Sequence, residues 1–409
     1  MSTDDTEAGS TDDNRPTMEC SVCEMDVPEG EFCGWCGSPL REHDRSGPKW
    51  LRIRSFSASA GEHLLMPNIV SSLFPSLPAR SRLAFLLGLG LLLAALIAAT
   101  LFRLPAALIT VAALGLPLLF LIYLQEADIY RDVPASTLVL TAGLGIGLGV
   151  GWVLLTGAAV ARSYGVPLGA GISGERILRD GLGVPVGGML LMLIPAGLVR
   201  LFRAGPRESL DGFAIGALGA LMFTGAATLT RLAPQFATGM IASARSMRGL
   251  MVEAGIRGIA VPLTAACVGG LMGAALWFTR PPNKKGQGRN YIRLVLALMA
   301  FAVIAIYAGL GLIDVAGVPE LLQLAVHLTI AAIALLALRV GLHLALLHEA
   351  HDEVNQDEPI LCPHCGHVVP DMAFCVACGA ATHAASRSSR QARRDVRPVR
   401  VEPDSEAAP

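Results

Sequence analysis

Hydrophobic and polar positions divide the chain into a polar start, a long apolar middle broken at intervals, and a polar end. A helix that crosses roughly 30 Å of hydrocarbon needs about 20 predominantly apolar residues. The middle offers eight such stretches, at about 82–102, 104–124, 135–161, 182–202, 209–230, 256–279, 291–313 and 319–347. The breaks around Arg103 and Gly205 are short enough for tight helical hairpins, and the last stretch is long enough to tilt or to protrude into water. The pattern predicts an all-α polytopic membrane bundle over residues 82–347 with about eight transmembrane helices; seven and nine are the neighbouring counts. Glycine marks its packing. Gly143, Gly147 and Gly151 form one small-residue stripe with Gly145 and Gly149 beside it, and Gly212 with Gly216 and Gly269 with Gly273 repeat the device. Inside lipid, small residues let backbones approach and gain dispersion contacts, so a tightly packed bundle accounts for all of them.

Composition agrees. The chain is 53% apolar and only 16% charged, with 44 glycines, and its mean hydropathy of +0.55 excludes an ordinary soluble domain. A net charge of −1 gives no general attraction to polyanions. Residues 1–17 read as a disordered acidic tail without the charged and apolar regions of a cleavable signal peptide, so the first span is expected to direct insertion. Residues 41–81 form a linker carrying Trp50, Ile53, Phe56, Leu64, Leu65, Ile69 and Phe74, expected to lie against the membrane surface. Residues 348–360 are a second linker. Residues 381–409 read as a disordered Arg/Ser-rich tail with Arg387, Arg390, Arg393, Arg394, Arg397 and Arg400, suited to an anionic lipid or RNA contact if it has a partner.

The densest chemistry stands at the two ends. Cys20, Cys23, Cys33 and Cys36 (residues 18–40) and Cys362, Cys365, Cys375 and Cys378 (residues 361–380) both read C-x2-C-x9-C-x2-C. Val27 with Val369, Pro28 with Pro370, Phe32 with Phe374 and Gly37 with Gly379 recur in register. Each CxxC turn delivers two thiolates, and two turns joined by a hairpin complete a tetrahedral zinc site. The pattern predicts two small β-hairpin zinc ribbons holding two structural Zn2+ ions; a thiol–disulfide relay or another metal is the alternative. Gly37, Gly366 and Gly379 follow the last cysteine of a pair, where a turn favours positive φ. Phe32 and Phe374 are the sizeable apolar cover, so each ribbon is expected to fold only with metal. His364 and His367 are read as surface residues, and Cys267 lies alone in an apolar run. The first ribbon carries Glu19, Glu24, Asp26, Glu29 and Glu31, which argues against nucleic acid there and for protein–protein contact.

Reduced thiolates favour the cytoplasm, and an even number of spans puts both termini on one side. That side then receives Arg80, Arg82, Arg131, Arg200, Arg203, Arg207 and the cluster Arg280, Lys284, Lys285, Arg289, Arg293. The other side receives Arg103, Arg162, Arg176, Arg179, Arg231, Arg245, Arg248 and Arg257. The positive-inside rule therefore favours a multi-pass protein of the cytoplasmic (plasma) membrane, surrounded by lipid, with both termini cytoplasmic.

Ionisable residues inside a membrane normally mark function. Asp211 opens the fifth span, and His327, Arg339 and His343 lie in the last, where Arg339 could snorkel if the helix is tilted. From roughly Leu104 to Asp314, about half the chain, the order of segments resembles the PrsW-type intramembrane metalloproteases, relatives of the CAAX-processing membrane proteases. The likeness rests on Leu119-Phe120-Leu121-Ile122-Tyr123-Leu124 leading into Asp128-Ile129-Tyr130, on Val184-Pro185-Val186-Gly187-Gly188, on Asp211 through Gly216 with Phe223, and on Arg257 through Pro262-Leu263. That family's chemistry implies an E-E-x-x-K motif, an F-x-x-x-E motif and later histidines that bind metal and activate water. Here Gly187-Gly188, Ala227, Thr264 and Tyr307 stand at those positions. Glycine, alanine and phenol hold no catalytic metal. The resemblance thus implies a degenerate member with no catalytic residue: a membrane scaffold or regulator whose ribbons bind a cytoplasmic or membrane protein. An active metalloprotease using another site, and a transporter or channel, are the alternatives.

Overall fold

The computed structural model describes residues 16–41, 55–66, 68–75, 77, 79–163, 181–202, 208–238, 246–279, 289–315, 318–350 and 352–397. The extreme tails (1–15 and 398–409), part of the first linker (42–54) and Arg280, Lys284 and Lys285 of the basic cluster lie outside them.

Strands β1 (Thr17–Glu19) and β2 (Asp26–Pro28) pair antiparallel. Short helix α1 (Ile69–Leu73) precedes α2 (Ala79–Leu101), α3 (Pro105–Glu126), the single turn α4 (Ile129–Asp132), and α5 (Ala135–Ser163). Then come α6 (Val184–Phe202), α7 (Ser209–Leu232) and α8 (Met247–Gly255), which runs through the π-helical turn Ile256–Ala260 into α9 (Val261–Trp277). Helices α10 (Arg289–Val315) and α11 (Glu320–His348) close the bundle. A second antiparallel hairpin, β3 (Pro359–Leu361) with β4 (Val368–Pro370), and helix α12 (Arg387–Asp395) follow.

Among the described residues, eight helical segments are long and apolar enough to cross a membrane, from Ser81–Leu101 to Glu320–His348. They match the stretches expected from hydropathy; only the sixth, Met247–Trp277, starts well before its expected position, because α8 and the π turn extend it. The protein is thus a multi-pass helical bundle with a small antiparallel hairpin near each end.

Helix α7 is its axis. A side chain at Gly216 would collide with the Gly269 carbonyl, and one at Gly273 with the Gly212 carbonyl, so α7 and α9 meet backbone to backbone. On another face of α7, Gly145 and Gly149 of α5 lie against the carbonyls of Gly219 and Phe223. The neighbouring stripe behaves differently from expectation: Gly143, Gly147 and Gly151 meet nothing within 4 Å and face outward. Only alternate glycines of α5 serve packing inside the bundle.

The two hairpins lie together at one pole of the bundle. Ser81 Oγ at the start of α2 donates to Glu126 at the end of α3 (2.7 Å), and the end of α9 meets the end of α11 through Ala350 N–H donating to the Thr279 carbonyl (3.3 Å). In the linker expected against the membrane surface, Leu65, Met66 and Ile69 are exposed while other apolar side chains turn inward. Phe56 and Leu64 are buried with Leu346, Leu347, Phe374, Ala381 and Ala384. Phe74 joins Phe85, Phe120 and Tyr123 at ring separations of 5.0–6.3 Å. Apolar side chains spaced among prolines make this segment a plug between bundle and hairpins.

Candidate metal centres

Each hairpin carries its four cysteines on two turns. In each quartet the sulfur atoms lie within 4.8 Å of one another. Cys20–Cys36 and Cys23–Cys33 are 3.7 Å apart, Cys362–Cys378 3.9 Å and Cys365–Cys375 3.8 Å. Four thiolates at about 2.3 Å from a tetrahedral zinc lie about 3.8 Å from each other, so the donor set fits such an ion before any ion is considered. The turns are built alike: Gly37 N–H donates to the Cys33 carbonyl and Gly379 N–H to the Cys375 carbonyl. Gly37, Gly366 and Gly379 adopt φ of 67°, 74° and 70° as the spacing predicts, and Glu24 takes the fourth such position at 57°. One difference separates the sites. The Ser38 hydroxyl lies 3.3 Å from Cys20 Sγ and 3.1 Å from Cys36 Sγ, whereas the matching residue of the second hairpin is Ala380. Burial pushes the Cys20 thiol up, but the Ser38 bond and the backbone N–H groups of Cys23 and Val22 outweigh it and leave it below the ordinary thiol range.

The two hairpins form one unit. Phe32 N–H donates to the Val376 carbonyl (3.0 Å), and its counterpart Phe374 N–H donates to the Gly34 carbonyl (2.8 Å). The Phe374 ring covers Gly37, and the Phe32 ring covers Gly379. Gly30 meets Val376 while Gly34 meets Met372, again counterparts of one another. The contacts are therefore related by a pseudo-twofold axis. Each phenylalanine expected to cover its own hairpin covers the other one instead.

Three polar connections fix this unit to the bundle, and the sequence pattern alone disclosed none of them. The first is Arg339. It is fully buried rather than snorkelling. Its Nε donates to the Leu64 carbonyl (2.9 Å), Nη1 to the hydroxyls of Ser71 (2.9 Å) and Ser72 (3.1 Å), and Nη2 to Glu62 (2.9 Å) and the His63 carbonyl (3.0 Å). All five guanidinium donors are thereby used, and the Phe56 ring lies 4.0 Å beneath the cation. The second is His343, one turn further along the same face. Its Nδ1 accepts from Ser57 N–H (3.2 Å), and the Ser57 carbonyl accepts from Ala381 N–H of the second hairpin (2.7 Å).

The third connection corrects the expected disordered tail. Over residues 382–397 the chain is ordered, and α12 lies across acidic groups contributed by separate loops. Glu208 binds Arg387 (2.9 Å) and Arg390 (2.8 Å), Asp352 binds Arg390 (2.9 Å), Asp371 binds Arg394 (2.9 Å), and Asp132 accepts the Arg387 and Ser388 N–H groups at the helix start. Burial would raise the Glu208 carboxyl, but the Arg390 and Arg387 guanidiniums beside it hold it below the usual range. Of the arginines read as an anionic contact, Arg387, Arg390, Arg394 and Arg397 pair with acidic groups of the chain, and Arg400 lies outside the described residues. Beneath α12, His364 is buried rather than at the surface, and that burial pushes its imidazole down to about 4; His367 remains exposed. Glu349, just past α11, accepts from Ser209 N–H (2.7 Å) and Oγ (3.0 Å), capping α7; burial, helped by nearby Glu208, pushes its carboxyl up to about 8.

The opposite pole holds a cavity of about 440 Å3. Gly188, Ala227 and Tyr307, three of the positions at which the sequence resemblance expected catalytic ligands, line it together with Phe223 and His327. Thr264 is not among its lining residues. A side chain at Gly187 would strike the Trp152 indole, and one at Gly188 would lie 3.0 Å from its Nε1. Trp152 thus fills the space that carboxylates at those positions would need. Among the described residues, the two cysteine quartets are the groups able to hold a metal.

The chain matches no family model, no curated protein and no solved structure.

Proposed function

We propose that this protein is a non-catalytic membrane scaffold or regulator of PrsW-like descent, in which two structural zinc ions shape a paired ribbon that engages a protein partner at the cytoplasmic face. One contrast carries the reading. The positions where the resemblance calls for metal-binding glutamates are Gly187 and Gly188, with Trp152 packed into their space, and Ala227, which lines the cavity without a ligand atom, while both thiolate quartets have tetrahedral spacing at the other pole. Water activation needs a metal or a placed base, and the cavity has no such group at those positions. Thiolates kept reduced for zinc, together with Arg82, Arg131 and Arg200 at the ribbon pole, support a plasma-membrane protein with cytoplasmic termini.

Metal analysis of the purified full chain tests this. Two zinc ions per chain are expected, and none after all eight cysteines are replaced by serine. A further ion that survives this replacement and is lost when His327 is changed would overturn the non-catalytic reading in favour of a protease.

A further inference from the structure

We propose that the cavity at the pole away from the ribbons binds a single-chain amphiphile with a zwitterionic, phosphate-bearing headgroup. The inference is independent of the partner that the ribbons engage. The lining is graded. At the mouth stand Arg231 at the end of α7 and Glu320 at the start of α11, both exposed. One level deeper, Arg257 and Glu253 face each other at 3.4 Å. His327 is buried seven residues along α11 from Glu320, about 10 Å by helical rise. The floor is Met189, Met192, Phe223 and Trp152, soft and aromatic surface suited to a flexible chain. Charges of both signs sit at the mouth and apolar groups at the base, which matches a head carrying both phosphate and amine followed by an alkyl chain. The volume of 440 Å3 falls within the size range of small-molecule sites between helices.

The backbone supplies a second, independent observation. Two stretches of π-helix border this one cavity: Gly181–Gly183, just before the lining residues Val184 and Pro185, and Ile256–Ala260, which carries Arg257. The Ile256–Ala260 turn widens the sixth span and interrupts the regular α-helical ladder where Arg257 reaches the cavity. Such turns weaken a helix and recur where a ligand is accommodated.

The test uses the full chain in nanodiscs of two-chain lipids, with a single-chain phosphocholine bearing a terminal bromine as the probe. Trp152 reports contact. We expect quenching that saturates, that unlabelled single-chain phosphocholine competes away, and that disappears in Trp152→Phe. Ala227→Phe, which fills the cavity, should weaken the probe at least ~10-fold, equivalent to ~1.4 kcal/mol. Arg257→Gln should weaken the phosphocholine probe while leaving a brominated maltoside of equal chain length unchanged. Quenching that rises linearly without competition would be bilayer partitioning alone and would overturn the proposal. So would equal affinity for a trimethylammonium-headed chain lacking phosphate. If Ala227→Phe does not fold, competition in the native protein decides the matter.

Discussion

The two poles of this bundle are built on opposite principles. At the ribbon pole, polar groups from the first linker, the last span, the interhelical loops and the C-terminal helix are drawn into hydrogen-bonded networks; Arg339 alone uses five donors. At the far pole the helices stand apart around a cavity, and two of them are bordered by π turns. Hydrogen bonding in a dry interior is worth most when every group is satisfied, and such networks rigidify what they join. An open, partly polar cavity does the reverse, leaving side chains room to rearrange around an occupant. Rigidity has been concentrated where the metal-binding hairpins are held, and adaptability at the other end of the same helices.

The sharpest way to break the contrast is to remove one quartet. Because the hairpins cover each other's phenylalanines, Cys362→Ser with Cys365→Ser should lower zinc content from two ions to none; a stable single ion would show that the hairpins fold separately. Next in size is Arg339→Met, which strips the partner from Glu62 and from two buried hydroxyls and should cost about 3 kcal/mol in thermal or denaturant unfolding. Arg339→Lys should not restore it, since three donors cannot replace a five-donor fork. Arg390→Gln leaves Glu208 and Asp352 short of a cation and should cost about 2 kcal/mol, visible as faster amide exchange along α12.

A pH series gives a smaller, signed effect. The folded carboxyl of Glu349 titrates at about 8, above its unfolded value of 4.5, so its contribution is fully present below 4.5 and is lost as pH rises through 8. Stability measured between pH 5 and 9 should decline more steeply in the native protein than in Glu349→Gln; identical slopes would show that Glu349 is not the titrating group. The least effect is expected at the other pole, where Ala227→Leu extends into open volume and should change stability by no more than about 0.5 kcal/mol.

Much of this architecture is legible in the sequence because it depends on local repetition. Hydropathy marks the spans to within a few residues in most cases, and the cysteine spacing carries the hairpins, their turns and the donor set. What stays hidden depends on distant groups meeting. Nothing near Arg339 announces Glu62, and the arginines of residues 387–397 read as a solvated run because Asp132, Glu208, Asp352 and Asp371 stand singly in other segments. Ser71, Ser72 and Phe56 look like ordinary linker residues until α11 passes beside them. The outward stripe Gly143, Gly147, Gly151 shows the converse: a local pattern identifies a face able to pack closely, and it does not say which neighbour, if any, packs there.

The reciprocal embrace of the two hairpins also bears on how the protein is made. The second hairpin leaves the ribosome more than three hundred residues after the first, a delay of about 15–65 s at ~5–20 residues per second. During that time the first hairpin has no mate. A chain that skips one span delivers its ends to opposite sides of the bilayer, where they cannot meet, and a truncated chain never supplies the second end. Completion of the embrace therefore requires that an even number of spans has been threaded, so that both hairpins reach one side of the bilayer.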